Sequence, residues 1–199
     1  VRRHLPSEPR WLDQVHGSAV ADLDAGPEGG PPVADAAVTS AAGRVAVVLT
    51  ADCLPVFLCR EDGSRVAAAH AGWRGLAAGV LENAAAAVGG RVLAWLGPAI
   101  GPAAFEVGPE VREAFVAVQP EAAAAFAPRG EGKYLADLYA LARLRLARAG
   151  VADVGGGGYC TYAEAGRFFS YRRAKASGRM GAFIWIDGAQ GEGPARPGP

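Results

Sequence analysis

Apolar and polar positions divide the chain into short strands and a few helices. The run Val45–Thr50 is apolar and β-branched, the pattern of a buried strand. Leu54–Leu58 predicts a second short strand and Arg65–His70 a third, with the turn signal Asp62-Gly63 between them. Earlier in the chain, Trp11–Val15 and Asp35–Ser40 predict strands, and the Asp-, Gly- and Pro-rich stretch Asp22–Pro32 an exposed loop. Leu76–Val88 is Ala-rich and predicts a helix stopped by Gly89-Gly90. Arg91–Leu96 predicts a strand, Gly97–Gly108 a Gly/Pro-rich loop, and Pro109–Val118 and Pro120–Phe126 helices. Tyr134–Ala149, with leucines at 135, 138, 141, 144 and 146, predicts an amphipathic helix ending at Gly150. Arg143, Arg145 and Arg148 on that helix are expected on a solvated face. Gly155–Gly158 predicts a loop, and Tyr159–Tyr162 and Gly181–Ile186 predict strands. The elements mix without strict βαβ alternation, so the expected class is α+β.

The predicted hairpin brings two reactive side chains together. A two-residue turn at Asp62-Gly63 places His70 opposite Pro55, and a looser turn places it opposite Cys53. In both registers a thiol and an imidazole share the open end of one hairpin, within reach of one metal ion or proton.

Composition narrows the setting. A chain of 199 residues, 51% hydrophobic and 20% charged, is ordinary for one globular domain, expected over 1–186 with a disordered tail at 187–199. Lys+Arg and Asp+Glu balance at 20 each, which leaves no electrostatic footprint for nucleic acid or an acidic membrane surface. Cys53, Cys59 and Cys160 are too few and too scattered for a disulfide framework, and with no signal peptide or long apolar run a reducing, cytoplasmic setting is expected. The chain opens at Val1 without Met, so an N-terminal portion is expected to lie outside it. The partners expected are small molecules, with the oligomeric state open.

Only three histidines exist: His4, His16 and His70. His4 is expected to be an exposed terminal residue. His16 ends a predicted strand before Gly17. With Cys53 and His70 it completes a two-His, one-Cys set, and three protein ligands with one open position is the usual plan of a catalytic zinc site. The loop 97–108 lacks the Lys-Ser/Thr ending of a Walker loop.

QVHG (14–17), TADCLPV (50–56) and HAGWRG (70–75) resemble the blocks of the YfiH/laccase-domain family, also called multicopper polyphenol oxidase or peptidoglycan-editing-factor proteins. GPAIGPAAFEVG (97–108) and CTY…FFSYRR…GRM (160–180) are similar to its later blocks, so the resemblance runs from about Trp11 to Ile186. It implies a YfiH-like α+β fold, with mixed sheets packed in layers and helices outside. It also implies that His16, Cys53 and His70 bind zinc and line the active site. The implied activity is purine nucleoside phosphorylase on adenosine, inosine and methylthioadenosine, with adenosine deaminase beside it; some members are assigned editing of peptidoglycan precursors.

Family members carry more chain before the QVHG block than the ten residues Val1–Arg10 provide. The CT block here has Ala163 where a second Cys is common, which argues against a second Cys-based metal site. Phosphorolysis needs an oxyanion held against C1′ of the ribose, and Arg74, Arg172, Arg173 and Arg179 are the candidates. Asp52 is a candidate for orienting a ligand, and Cys59 and Cys160 are expected in packing. The competing chemistry is a cysteine amidase with Cys53 as nucleophile and His70 as base. Zinc is favoured over copper, because a full multicopper centre needs many more imidazoles than three.

Overall fold

The computed structural model describes residues 4–26 and 30–188. The tail expected at 187–199 therefore lies almost wholly outside the described residues. The strands are β1 (Val20–Asp22), β2 (Ala36–Thr39), β3 (Ala46–Thr50), β4 (Leu54–Arg60), β5 (Val66–Ala71), β6 (Val92–Leu96), β7 (Glu106–Val107), β8 (Phe126–Gly130), β9 (Lys133–Ala136), β10 (Asp153–Gly156) and β11 (Met180–Ile184). The helices are α1 (Trp73–Ala77), α2 (Val80–Val88), α3 (Pro109–Val116) and α4 (Leu138–Arg148). No described helix is long and apolar enough to cross a membrane.

Three layers build the molecule. The middle layer is a six-stranded sheet ordered β1-β2-β5-β4-β6-β10, parallel at its two outer pairs and antiparallel inside. One face of it carries Val56, Leu58, Ala69, Ala94 and Leu96, buried against Leu76, Val80, Leu81, Leu141 and Leu146 of the helices. Along β6 the alternation is explicit: Val92, Ala94 and Leu96 are buried while Leu93 and Trp95 are exposed. The other face carries Ala37 and Ala68 under Ala46 and Val48 of the two-stranded sheet β11-β3. A third sheet, β7-β9-β8, completes the mixed, layered α+β architecture that was expected.

Several expected elements differ, each for a local reason. Trp11–Val15 is no strand, although Asp13 bridges Val33 and Arg10 bridges Ala46. The outer edge of β3 is met instead by the side chain of Gln14, whose carboxamide donates to the Leu49 carbonyl (2.9 Å) and accepts from the Leu49 N–H (2.8 Å). The helix expected over 76–88 is two helices, because Gly79 between them is left-handed at φ +93°. Lys133–Ala136 is a strand paired on both edges, and α4 starts after Asp137, whose carboxylate caps Tyr139 and Ala140. Asp153–Gly156 is a strand rather than a loop; a Cβ on Gly155 would sit 2.7 Å from the Trp95 indole, so glycine is what lets the ring lie there. Residues 159–162 turn rather than extend, with the Cys160 N–H on the Glu164 carboxylate.

Arg145 corrects the expected solvated face. It is 4% exposed. Its guanidinium donates to the carbonyls of Leu76 (3.1 Å) and Ala77 at the C-terminal end of α1 and pairs with Glu82 at 3.2 Å. It neutralises helix-end carbonyls that have no intrahelical partner. Arg143 and Arg148 are exposed, as expected.

Candidate metal centre

The centre begins with the register of one hairpin. β4 and β5 pair Pro55 with His70 and Leu54 with Ala71, the register that a two-residue turn dictates. Cys53 directly precedes β4 and His70 is the penultimate residue of β5, so both sit at the open end. There the chain turns at Gly72, whose backbone (φ −63°, ψ 158°) any residue could adopt. Glycine is required for space instead: a Cβ would lie 2.9 Å from Cys53 Sγ and 3.1 Å from His16 Cδ2. The same holds at Gly75, three residues on, where a Cβ would lie 2.6 Å from the Gly17 carbonyl oxygen. The two glycines of HAGWRG thus let the QVHG segment approach the hairpin.

His16 arrives with a left-handed backbone, φ +60°. The N–H groups of Val15, His16 and Gly17 all donate to the Asp35 carboxylate, at 3.1, 2.9 and 2.6 Å. The same carboxylate meets His70 Nδ1 at 2.7 Å and is completely buried. One donor atom from each of His16, Cys53 and His70 lies within 4.8 Å of the other two. His16 Nε2 is 3.9 Å from Cys53 Sγ, and the imidazoles meet edge to face with centroids 4.8 Å apart. His70 is buried, Cys53 half-buried and His16 exposed, so the cluster opens outward on the His16 side.

Charge follows geometry. Burial alone would raise the Cys53 thiol, but hydrogen bonds and charge from His16 and His70 outweigh it and lower its pKa to about 7. Burial alone would lower His70, but Asp35 and Cys53 outweigh it and raise the imidazole to about 9. Burial opposes ionisation of Asp35 as well; the His70 hydrogen bond and the N–H groups of Gly17 and Val15 prevail and hold the carboxyl below its ordinary value.

The donor set fits a metal ion. Two imidazoles and a thiolate-prone cysteine converge from three segments, and His70 has its second ring nitrogen on a carboxylate, the usual companion of a metal-ligating histidine. With Nδ1 on Asp35, Nε2 is the nitrogen that His70 turns toward the cluster. Cavity size does not mark this place: a cavity of about 700 Å³ lies among Gly79, Glu82, Asn83, Arg145 and Arg148 and shares no residue with the cluster.

The family model for multi-copper polyphenol oxidoreductase laccase matches residues 2–187. The chain belongs to this family. Its relatives include a protein of Escherichia coli strain K12 named purine nucleoside phosphorylase YfiH, 56% identical over 186 residues that span 92% of this chain and 76% of the relative. A Pseudomonas aeruginosa protein also named a purine nucleoside phosphorylase is 50% identical over 190 residues, 94% of this chain and 77% of its own. Among solved structures, Neisseria meningitidis protein NMB0706 superposes with a TM-score of 0.87 at 50% identity, covering 94% of this chain and 77% of that one. YlmD from Geobacillus stearothermophilus does so with 0.80 at 30% identity, covering 90% and 74%.

Within this laccase-domain chain, the residue before Cys53 is tied to the 160–173 segment. Asp52 has φ +85° and a carboxylate that accepts the hydroxyls of Thr161 (2.6 Å) and Ser170 (3.1 Å) and the Arg172 N–H (2.6 Å). The four candidate arginines differ in engagement. Arg173 donates to the carbonyls of Thr161, Tyr162 and Phe168. Arg179 contacts the carbonyls of Ser177 and Gly178. Arg172 rests both terminal nitrogens on the Glu106 carbonyl at 3.1 Å and lies over the Phe105 ring. Arg74 is exposed and lies over Trp73.

Cys160 packs against Gly101, and Cys59 turns its sulfur to the Arg60 carbonyl. His4 is exposed. Asp35 went unmarked in the sequence. Its signal is a lone carboxylate in the apolar run VADAAV, where a buried strand starts.

Proposed function

We propose that this chain is a zinc-dependent purine nucleoside phosphorylase with adenosine deaminase activity on the same pocket, in which His16, Cys53 and His70 hold the metal. The observation that carries the reading is the convergence of these three donor atoms within 4.8 Å, backed by relatives that bear the phosphorylase name. Zinc, when bound there, supplies Lewis acidity and lowers the pKa of water at its open position toward about 7.

The chain's own residues supply the rest. Cys53 and the two imidazoles set the position of the ion, and the exposed side of His16 leaves the nucleoside an approach. In phosphorolysis a phosphate oxygen forms a bond to C1′ while the glycosidic C–N bond breaks, giving ribose 1-phosphate and the free purine. That requires cations around phosphate. Arg74 and Arg172 are the foremost candidates, since Arg74 follows His70 by four residues and Arg172 is tied through its N–H to Asp52 beside Cys53. Arg179 is a further candidate, and Arg173 is assigned mainly to holding the 160–173 segment that presents them. The substrates proposed are adenosine, inosine and methylthioadenosine.

A second reading has its own support. Without metal, Cys53 at about 7 and His70 at about 9 form a thiolate–imidazolium pair at neutral pH, the equipment of a cysteine amidase acting on a peptidoglycan precursor. Copper is the less favoured ion: the cluster groups one set of three ligands, and a multicopper centre takes more imidazoles than the three in this sequence.

The deciding experiment is metal analysis of protein purified without added metal, with adenosine turnover followed with and without phosphate. About one zinc per chain is expected, with adenine and ribose 1-phosphate formed only when phosphate is present. Inosine should form at a rate indifferent to phosphate. Arg172→Ala should reduce phosphorolysis about tenfold or more and deamination less. No purine nucleoside turnover, together with cleavage of an amide in a muramyl-amino-acid precursor, would hand the site to the second reading.

A further inference from the structure

We propose that Asp35 is the positioning residue of the metal centre: a single buried carboxylate that holds both histidines, so that metal affinity depends on a residue that is not itself a ligand. This rests on the metal reading above. Asp35 Oδ1 meets the His16 N–H at 2.9 Å and His70 Nδ1 at 2.7 Å. Oδ2 accepts from Val15 at 3.1 Å and Gly17 at 2.6 Å. A carboxylate offers about four lone-pair sites, and all four are filled in a residue with no solvent exposure.

Each bond constrains a different ligand. The Nδ1 contact fixes the His70 tautomer and ring plane, so that Nε2 carries the lone pair toward Cys53. The three consecutive N–H groups gathered on one anion hold residues 15–17 in a tight turn. They stabilise the left-handed backbone of His16, which a non-glycine residue adopts only under constraint. Histidine ligands commonly have one partner each; here one partner serves two ligands from different segments. Losing it releases the ring of His70 and the backbone of His16 together.

Asparagine is the informative replacement because it keeps the volume and removes one acceptor oxygen. However the carboxamide turns, two of the four N–H donors face an NH₂ group. Asp35→Asn should weaken zinc binding by about 10–100-fold.

The test titrates zinc against a chromophoric chelator in the wild-type chain, Asp35→Asn and Cys53→Ala. A 10–100-fold weaker Asp35→Asn supports the proposal. Equal affinity of wild type and Asp35→Asn, with Cys53→Ala much weaker, overturns it and leaves the metal reading standing. A wild type no tighter than Cys53→Ala overturns the metal reading and this proposal with it.

Should Asp35→Asn fail to fold, histidine ¹⁵N spectra of the zinc-loaded wild type decide. The proposal expects His16 and His70 both to shift on adding zinc, with His70 bound through Nε2 and a hydrogen-bonded Nδ1–H retained. Zinc on Nδ1 of His70, or no Nδ1–H there, overturns the proposal.

Discussion

Arg145–Glu82 and His70–Asp35 are both pairs built on a buried cationic side chain, and they do opposite work. Arg145 is saturated: two carbonyls of α1, the Glu82 carboxylate at 3.2 Å and the Phe115 ring surround its guanidinium. The pair closes the junction of α1, α2 and α4, and only the second Glu82 oxygen, Oε2, is left buried without a hydrogen-bond partner. His70 is half engaged. Asp35 takes Nδ1 at 2.7 Å, and the rest of the ring faces a half-buried thiol and a second imidazole. Burial and ion pairing alone thus do not set the two pairs apart; the convergence of three side chains of metal-ligating type on one point does.

Substitutions can break this contrast. Cys53→Ala should abolish the metal stoichiometry and lower nucleoside turnover by about a thousandfold, with a thermal midpoint close to that of the metal-free wild type. Arg145→Leu should do the reverse. Removing one partner of a buried, multiply bonded pair costs about 3–5 kcal/mol in chemical denaturation, while turnover per folded molecule stays near wild type. If Arg145→Leu abolished zinc binding in the folded protein, or Cys53→Ala unfolded it, the division would be wrong.

Gly72→Ala is a smaller and sharper probe. It removes no ligand and no hydrogen bond and suits the backbone, so its effect is the steric one on Cys53 Sγ and His16 Cδ2 alone. About a tenfold loss of zinc affinity is expected in a competition titration, since a ligand pushed by several tenths of an ångström leaves its ideal distance.

A pH dependence sharpens the contrast without any substitution. Zinc needs Cys53 as thiolate and His70 neutral, and their metal-free values are about 7 and about 9. Proton competition therefore falls as pH rises: zinc affinity should climb steeply below pH 7, by about tenfold per pH unit between pH 7 and 9, and level off above, with protons released on binding. A flat profile across that window would mean that the two side chains do not titrate as a pair.

What the sequence revealed follows the range of the interaction. The hairpin register was legible to within two residues because Asp62-Gly63 sets it locally; of the two expected registers, the one with His70 opposite Pro55 is observed. The cluster was legible because histidine and cysteine are rare in this chain, and because His16 and His70 stand just before glycines at predicted strand ends. Asp35 was not, because its four bonds reach back to 15–17 and forward to 70; the lone carboxylate in VADAAV signals burial but not those partners. Arg145 looked solvated because its partners are carbonyls of another helix, which carry no residue identity. The strand at Lys133–Ala136 was hidden by a leucine at 135 that continued the helical period; the Asp137 cap was the overlooked stop signal.

The Gln14 carboxamide has a consequence for how chains behave at high concentration. β3 has β11 on one edge and, on the other, only the Arg10–Ala46 bridge at its start; the rest of that edge, left bare, would offer unpaired amide and carbonyl groups to any extended segment passing by. By taking both backbone groups of Leu49, one side chain acts as a strand one residue long and closes that edge without extending the sheet. Gln14 belongs to the motif that delivers His16, so the segment that builds the reactive centre also guards the fold against edge-to-edge aggregation.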